Sequence, residues 1–148
     1  MTTKVTSESV KQLVNHYAEA ITENYRRYHI NTLNGNLHGN YPEYAKEQLA
    51  EIENGTANLM KFKVYSGKKY YKIVQQEFET WEKSRNYGKY ADGSVHCFVD
   101  KETGDVYKAA SWKSPAKHIR FSFQNEADLR FLLNPDNVTW AGGYLYIR

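Results

Sequence analysis

The sequence predicts an α+β fold, with two N-terminal helices packed on an antiparallel sheet built from two hairpins and a C-terminal strand. Three observations predict it. Apolar residues recur at helical spacing through residue 54. From Leu59 onward the period switches to two, in runs rich in β-branched and aromatic residues. No repeat, heptad array or linker divides the 148 residues, a length that fits one domain, helical over 7–55 and sheet-rich over 59–148.

Residues 7–28 place Val10, Leu13, Val14, Tyr17, Ile21, Tyr25 and Tyr28 at three- and four-residue steps, which makes one apolar helix face. Thr6 or Ser7 supplies an N-cap, Glu8 suits the positive helix start, and Arg26 and Arg27 suit the negative end. Residues 31–40, NTLNGNLHGN, hold four Asn and two Gly, a composition that predicts an exposed loop. Pro42 fits a first helical turn, so a second helix is expected over 42–54. Tyr44, Ala45, Leu49 and Ile52 share one face of it, and Gly55 fits the position just past its end.

LMKFKVY then alternates, with Met60, Phe62 and Val64 on one face and Lys61, Lys63 and Tyr65 on the other. SGK makes a turn and KYYKIVQQ a second strand, which completes a hairpin. Residues 76–94 read as a short helical turn around Phe78–Lys83 followed by a polar, Gly-containing loop. VHCFVD and VYKAAS flank KETGD as a second hairpin, and Pro115 ends its second strand. HIRFSF at 118–123 reads as a further strand. Asn125 caps a short helix, EADLRFLL, which stops before Pro135. Gly142-Gly143 leads into YLYIR, a last strand whose free edge offers a route to a homodimer.

Composition narrows the function classes. Aromatic residues make up 15% of the chain, thirteen of them Tyr, which argues against disorder. A single Cys excludes an internal disulfide framework and any multi-Cys zinc site. No stretch approaches the roughly 20 apolar residues of a membrane span. MTTKVTSESVKQLV lacks the apolar core of a secretory signal, so a cytoplasmic protein is expected and the sequons at Asn54 and Asn137 read as turn chemistry. The formal net charge is +3, but residues 61–120 alone carry thirteen Lys/Arg against seven Asp/Glu, net +6. A fold that gathers those cations on one face would attract polyanions.

Residues 91–121, ADGSVHCFVDKETGDVYKAASWKSPAKHIRF, carry a distinctive pattern. A strand ends in FVD, a Thr-Gly turn follows, then DVYKAASW, KSPAK and a basic residue. This pattern, with KKYYKIV at 68–74, resembles a family of small, uncharacterised tailed-phage proteins. The resemblance implies a phage genome and expression in the host bacterial cytoplasm, with virion association left open. It implies no activity.

Two stretches interleave cations with rings. Lys61, Lys63, Lys68, Lys69 and Lys72 lie among Phe62, Tyr65, Tyr70 and Tyr71, and Lys108, Lys113, Lys117 and Arg120 lie among Tyr107, Trp112 and Phe121. Cations hold phosphates, and aromatic faces stack unpaired bases at about 1–3 kcal/mol each. The bland alternative is a solvated strand face, where Lys blocks edge pairing and Tyr is a good strand residue. In SWKSPAKHIR, Ser111, Ser114 and nearby amides can cradle a phosphate, or the loop is simply anchored by Trp112.

His96, Cys97 and His118 make a poor catalytic set, because His96 and Cys97 are neighbours in a strand and should face opposite ways. Cys97 reads as a buried, inert thiol. Asp100 and Asp105 flank a turn and read as turn caps, and Glu77, Glu79 and Glu82 as a surface segment. No cofactor or metal is expected, and no constellation supports an enzyme. The expected function is nucleic-acid binding through Lys61, Lys63, Tyr65, Lys69, Lys72, Lys108, Trp112, Lys113, Lys117 and Arg120. The alternative is a protein–protein module acting on a host, anti-phage defence or phage protein, either as an inhibitor or as a minor virion component. Its surface would be the Tyr-rich first helix or the NTLNGNLHGN segment.

Overall fold

The computed structural model describes residues 7–146. Two helices, α1 (Ser7–Asn36) and α2 (Pro42–Asn54), precede an antiparallel sheet of five strands in chain order. The strands are β1 (Lys61–Ser66), β2 (Tyr70–Phe78), β3 (Tyr90–Asp100), β4 (Asp105–Lys108) and β5 (Phe121–Ser122). A short helix, α3 (Glu126–Leu132), follows, and a single 3-10 turn at Gly143–Leu145 lies near the end of the described chain. The predicted α+β class holds.

The apolar stripe of α1 lies on one face of the sheet. Val10, Val14, Tyr17, Ala18 and Ile21 are buried there with Phe62, Tyr71, Ile73, Cys97, Val99 and Val106. Phe123, Leu132, Val138 and Leu145 close the far side of this core. At roughly 1.5 Å per residue, α1 is about 45 Å long, and its C-terminal part carries α2. The loop expected at 31–40 is therefore helical to Asn36. Leu33 is 2% exposed and Ala45 is fully buried, and burial of this kind outweighs the weak helix propensity of Asn and Gly. Only residues 37–40 form the turn between the helices. The expected cap at Thr6 lies outside the described residues, as do the side chains of Ser7 and Glu8.

Both hairpins form where expected, as does α2, which ends on Gly55 at φ 75°. Asn125 caps α3 by accepting from the Asp128 amide at 3.0 Å. Four further expectations fail. Phe78–Lys83 is not helical, and β3 begins at Tyr90 rather than near Val95. The strand over 118–123 shrinks to Phe121–Ser122, because His118 has φ 71° and breaks the extended run. The C-terminal strand is absent among the described residues: Gly142 at φ 82° turns the chain into the 3-10 turn, and Leu145 enters the core. Ile147 and Arg148 lie outside the described residues, and the edge-strand basis for a homodimer goes with that strand.

The C-terminal segment is tied down by side chains far away in sequence. Asn24 on α1 donates to the Pro135 carbonyl at 2.7 Å and accepts from the Trp140 amide at 2.9 Å. Arg120 donates through Nε to the Leu145 carbonyl at 2.7 Å.

β3 has eleven residues where its partner β2 has nine. The two extra residues sit in bulges. Ile73 faces Cys97 while Val74 faces Val95, which leaves His96 over, and a second shift lies between Val74 and Gln76. Bulges re-aim side chains, and both of these do. The first turns His96 toward the helix-covered face, beside Phe62. The second returns Asp92 to the open face, opposite Gln76.

Candidate nucleic-acid interface

The open face of the sheet carries the residues that alternate away from α1. Lys61, Lys63 and Tyr65 on β1 face Gln76, Val74 and Lys72 on β2, and Lys72 faces Phe98 on β3. Tyr70, Phe98 and Tyr107 run across three strands in edge-on contact, with centroids 5.9 and 6.0 Å apart. The 109–115 loop then folds over this face. Ala109 bridges Pro115, and the amides of Ala110 and Ser111 both donate to the Ser114 carbonyl, which makes a tight reversal with Trp112 at its tip. Lys72 holds the tip: its Nζ donates to the Trp112 carbonyl at 3.1 Å and sits 4.0 Å from the indole centroid.

Between this loop and the β1–β2 turn lies an open cavity of about 480 Å³. Tyr65, Tyr70, Phe98 and Trp112 supply aromatic walls, and Lys68, Lys69, Lys72 and Lys113 supply cations. Trp112 also walls a second depression of about 310 Å³, lined by Ser94, Val95, Ala109, Ala110 and Ser111. The indole, 43% exposed, thus stands between two hollows on one face. The other cations on the face also lie over rings: Lys61 is 3.9 Å from the Tyr90 centroid and Lys63 is 4.9 Å from that of Tyr65.

Of the ten residues expected at the interface, Tyr65, Lys69, Lys72, Trp112 and Lys113 line the cavity, and Lys61 and Lys63 share its face. Lys108 does not. It pairs with Cys97 across the strands, so it points to the other side of the sheet, over the Tyr146 ring. Arg120 is occupied as a staple, with Nη1 donating to the Lys117 and His118 carbonyls at 2.6 Å each. Lys117 is exposed and outside the lining. The phosphate cradle of Ser111 and Ser114 is closed, because the turn uses the Ser111 hydroxyl as acceptor for the Ser114 amide at 3.2 Å.

Phe98, Asp92 and Gln76 in the site escape sequence reading. Asp92 falls in a segment that reads as a polar loop, and Gln76 at the end of a strand. In the fold, Gln76 donates to Asp92 at 2.7 Å and the Tyr65 hydroxyl donates to both carboxylate oxygens, at 2.8 and 2.9 Å. The Gln76 amide, then Tyr65, then the nearby charges of Lys63 and Lys72 hold the Asp92 carboxyl below the usual carboxylate range. Asp92 is thus a fixed anion at one end of a cationic cavity.

The helix-covered face gathers a different set. The Tyr17 and Tyr144 hydroxyls lie 2.5 Å apart, His96 Nε2 is 2.7 Å from the Tyr144 hydroxyl, and Cys97 Sγ is 3.7 Å from that of Tyr17. Sequence alternation says that His96 and Cys97 cannot meet, but the bulge brings both onto one Tyr pair. Burial pushes the Cys97 thiol up to about 12 and the His96 imidazole down to about 4. Neither ionises near neutral pH, which leaves a thiol with no nucleophilic thiolate and an imidazole that stays neutral. Among the described residues, no group of three or more His, Cys, Asp or Glu is placed to hold a metal ion.

The fold and site define a small α+β protein with one sheet face covered by a helix and the other open, basic and aromatic. Matched over residues 1–147, the chain belongs to a family of unknown function, DUF7717. No curated protein and no solved structure matches it. Among the described residues, no helix is long and apolar enough to cross a membrane.

Proposed function

We propose that this chain is a phage-encoded, non-enzymatic protein that binds unpaired nucleic acid through the open sheet face, in the cytoplasm of a bacterial host. The observation that carries the reading is the cavity shared by four lysines and four aromatic rings, with Trp112 raised between two hollows. Bases of a single strand stack on ring faces, and the lysines neutralise the phosphates that link them. A duplex hides the faces of its bases, so the exposed indole favours a strand without a partner. The phage origin rests on the resemblance over 68–74 and 91–121.

Fluorescence anisotropy with a labelled nine-nucleotide strand tests the reading. Binding should fall as salt rises, with a slope of about −0.7 per phosphate contacted. Trp112→Ala and the pair Lys69→Glu with Lys113→Glu should each weaken it by about fivefold or more, by about 1–3 kcal/mol for the lost stack and by the reversed charges. Unchanged binding in both variants would remove this face from the account.

A protein partner is the second reading, and a specific observation favours it. Tyr28, Tyr41 and Tyr44 on the helical side are 51%, 68% and 54% exposed. Exposed Tyr suits protein interfaces, being a large ring with a polar tip. A host protein that co-purifies after nuclease treatment and at high salt, and is lost on Tyr41→Ala with Tyr44→Ala, would favour this reading over the first.

A further inference from the structure

Among the cavity's lining residues Asp92 is the single acid, and it stands in a site otherwise built for anions. A carboxylate at contact distance repels phosphate, so a ligand that fills this cavity turns its phosphates toward the lysines and some other group toward Asp92. That group must donate, since an ionised carboxylate only accepts. The acceptor capacity left over can be read from the bonds already made. Oδ1 takes the Gln76 amide at 2.7 Å and the Tyr65 hydroxyl at 2.8 Å, while Oδ2 takes only the second branch of the Tyr65 bond, at 2.9 Å. Oδ2 has room for one more donor, and Asp92 itself is exposed toward the cavity.

We propose that the cavity selects bases carrying an exocyclic amino group and disfavours thymine and uracil, with the base amino group donating to Asp92 Oδ2. This rests on the nucleic-acid reading and deepens it. Cytosine N4 is such a donor, and Asp or Glu accepting from it is a known form of base recognition. Thymine presents a carbonyl at the same position, and its one edge donor, N3–H, lies between two carbonyls, so a carboxylate that accepts from it also meets an acceptor. The base edge is free for this contact only in an unpaired strand, where it is not already used by a partner base. A free mononucleotide has the same amino group and phosphate, so the two sources share one chemistry.

Cytosine and thymine are both single-ring bases, so comparing them separates the edge contact from the stacking advantage of purines. The probes are nine-nucleotide strands of deoxycytidine and of thymidine, with cytidine monophosphate as the free form, titrated at pH 7.5 and low salt. The strand of cytosines should bind about tenfold tighter or more than the strand of thymines, the gain expected of one hydrogen bond to a charged group. Asp92→Asn should bring the two together or reverse their order, because the Tyr65 hydroxyl keeps an acceptor on its own side and leaves the new amide N–H facing the base. Equal binding of the two strands by the unaltered protein would overturn the selectivity while leaving the nucleic-acid reading standing. Binding of neither strand would overturn both. Tighter binding of cytidine monophosphate than of the cytosine strand would support the contact to Asp92 but overturn the strand as its source.

Discussion

The two faces of the sheet use the same residue types to opposite ends. On the covered face, the Tyr17 and Tyr144 hydroxyls, His96 Nε2 and Cys97 Sγ turn toward one another, and each of those four atoms has a partner. On the open face, Tyr65, Tyr70 and Trp112 line an open hollow, and the polar groups beside them are four ammonium ions and the Asp92 carboxylate. A buried polar group must be paired because water is not there to pair it. An exposed cation over a ring has no such demand and stays available to a ligand. The difference teaches where to look for function: the covered network is already complete, and the open one has charge left over.

The largest effect should come from breaking the contrast at adjacent residues. Ile73 is fully buried on the covered face and Lys72 lies on the open one. Ile73→Ala should cost about 2–5 kcal/mol in urea unfolding, while Lys72→Ala should stay within about 1 kcal/mol. Equal costs would mean that the open face is as much a core as the covered one.

Acid should come next. His96 drops to about 4 in the fold from an ordinary 6.5. The unfolded chain therefore binds a proton that the folded chain refuses between those values, and stability falls as pH drops from 6.5 toward 4. The shift corresponds to roughly 3 kcal/mol. Urea midpoints at pH 7 and pH 4.5 should diverge more for the unaltered protein than for His96→Gln. The smallest effect sharpens the contrast within the covered network. Tyr144→Phe removes the hydroxyl shared by Tyr17 and His96 and should cost about 1–3 kcal/mol, with no loss of nucleic-acid binding. If binding fell with it, the two faces would not be independent.

The sequence made the elements legible wherever periodicity and capping agreed, as with Pro42 and Gly55 around α2 or Asn125 before α3. It misled at NTLNGNLHGN, because the burial of Leu33 is a tertiary fact that local propensity does not contain. At YLYIR, Leu145 enters the core from a 3-10 turn, where the alternating pattern reads as a strand. The open face was legible as far as plain alternation ran, through Lys61, Lys63, Tyr65 and Lys72. It stopped being legible at the bulges of β3. Each inserted residue changes which way its neighbours point, so neither the convergence of His96 with Cys97 nor the return of Asp92 to the open face follows from counting by twos. Lys108 and Arg120 misled for the related reason that a basic residue's direction depends on strand register and on what its donors already hold.

The central claim is that the open face is the working surface, and amide chemical-shift mapping tests it most directly. With a single-stranded nonanucleotide added to isotope-labelled protein, the shifts should concentrate at 65–72, at Asp92 and Phe98, and at 111–113. Tyr17 and Cys97 in the covered network should stay still. Shifts gathered instead on α1 and α2, or none at all at low salt, would contradict the account.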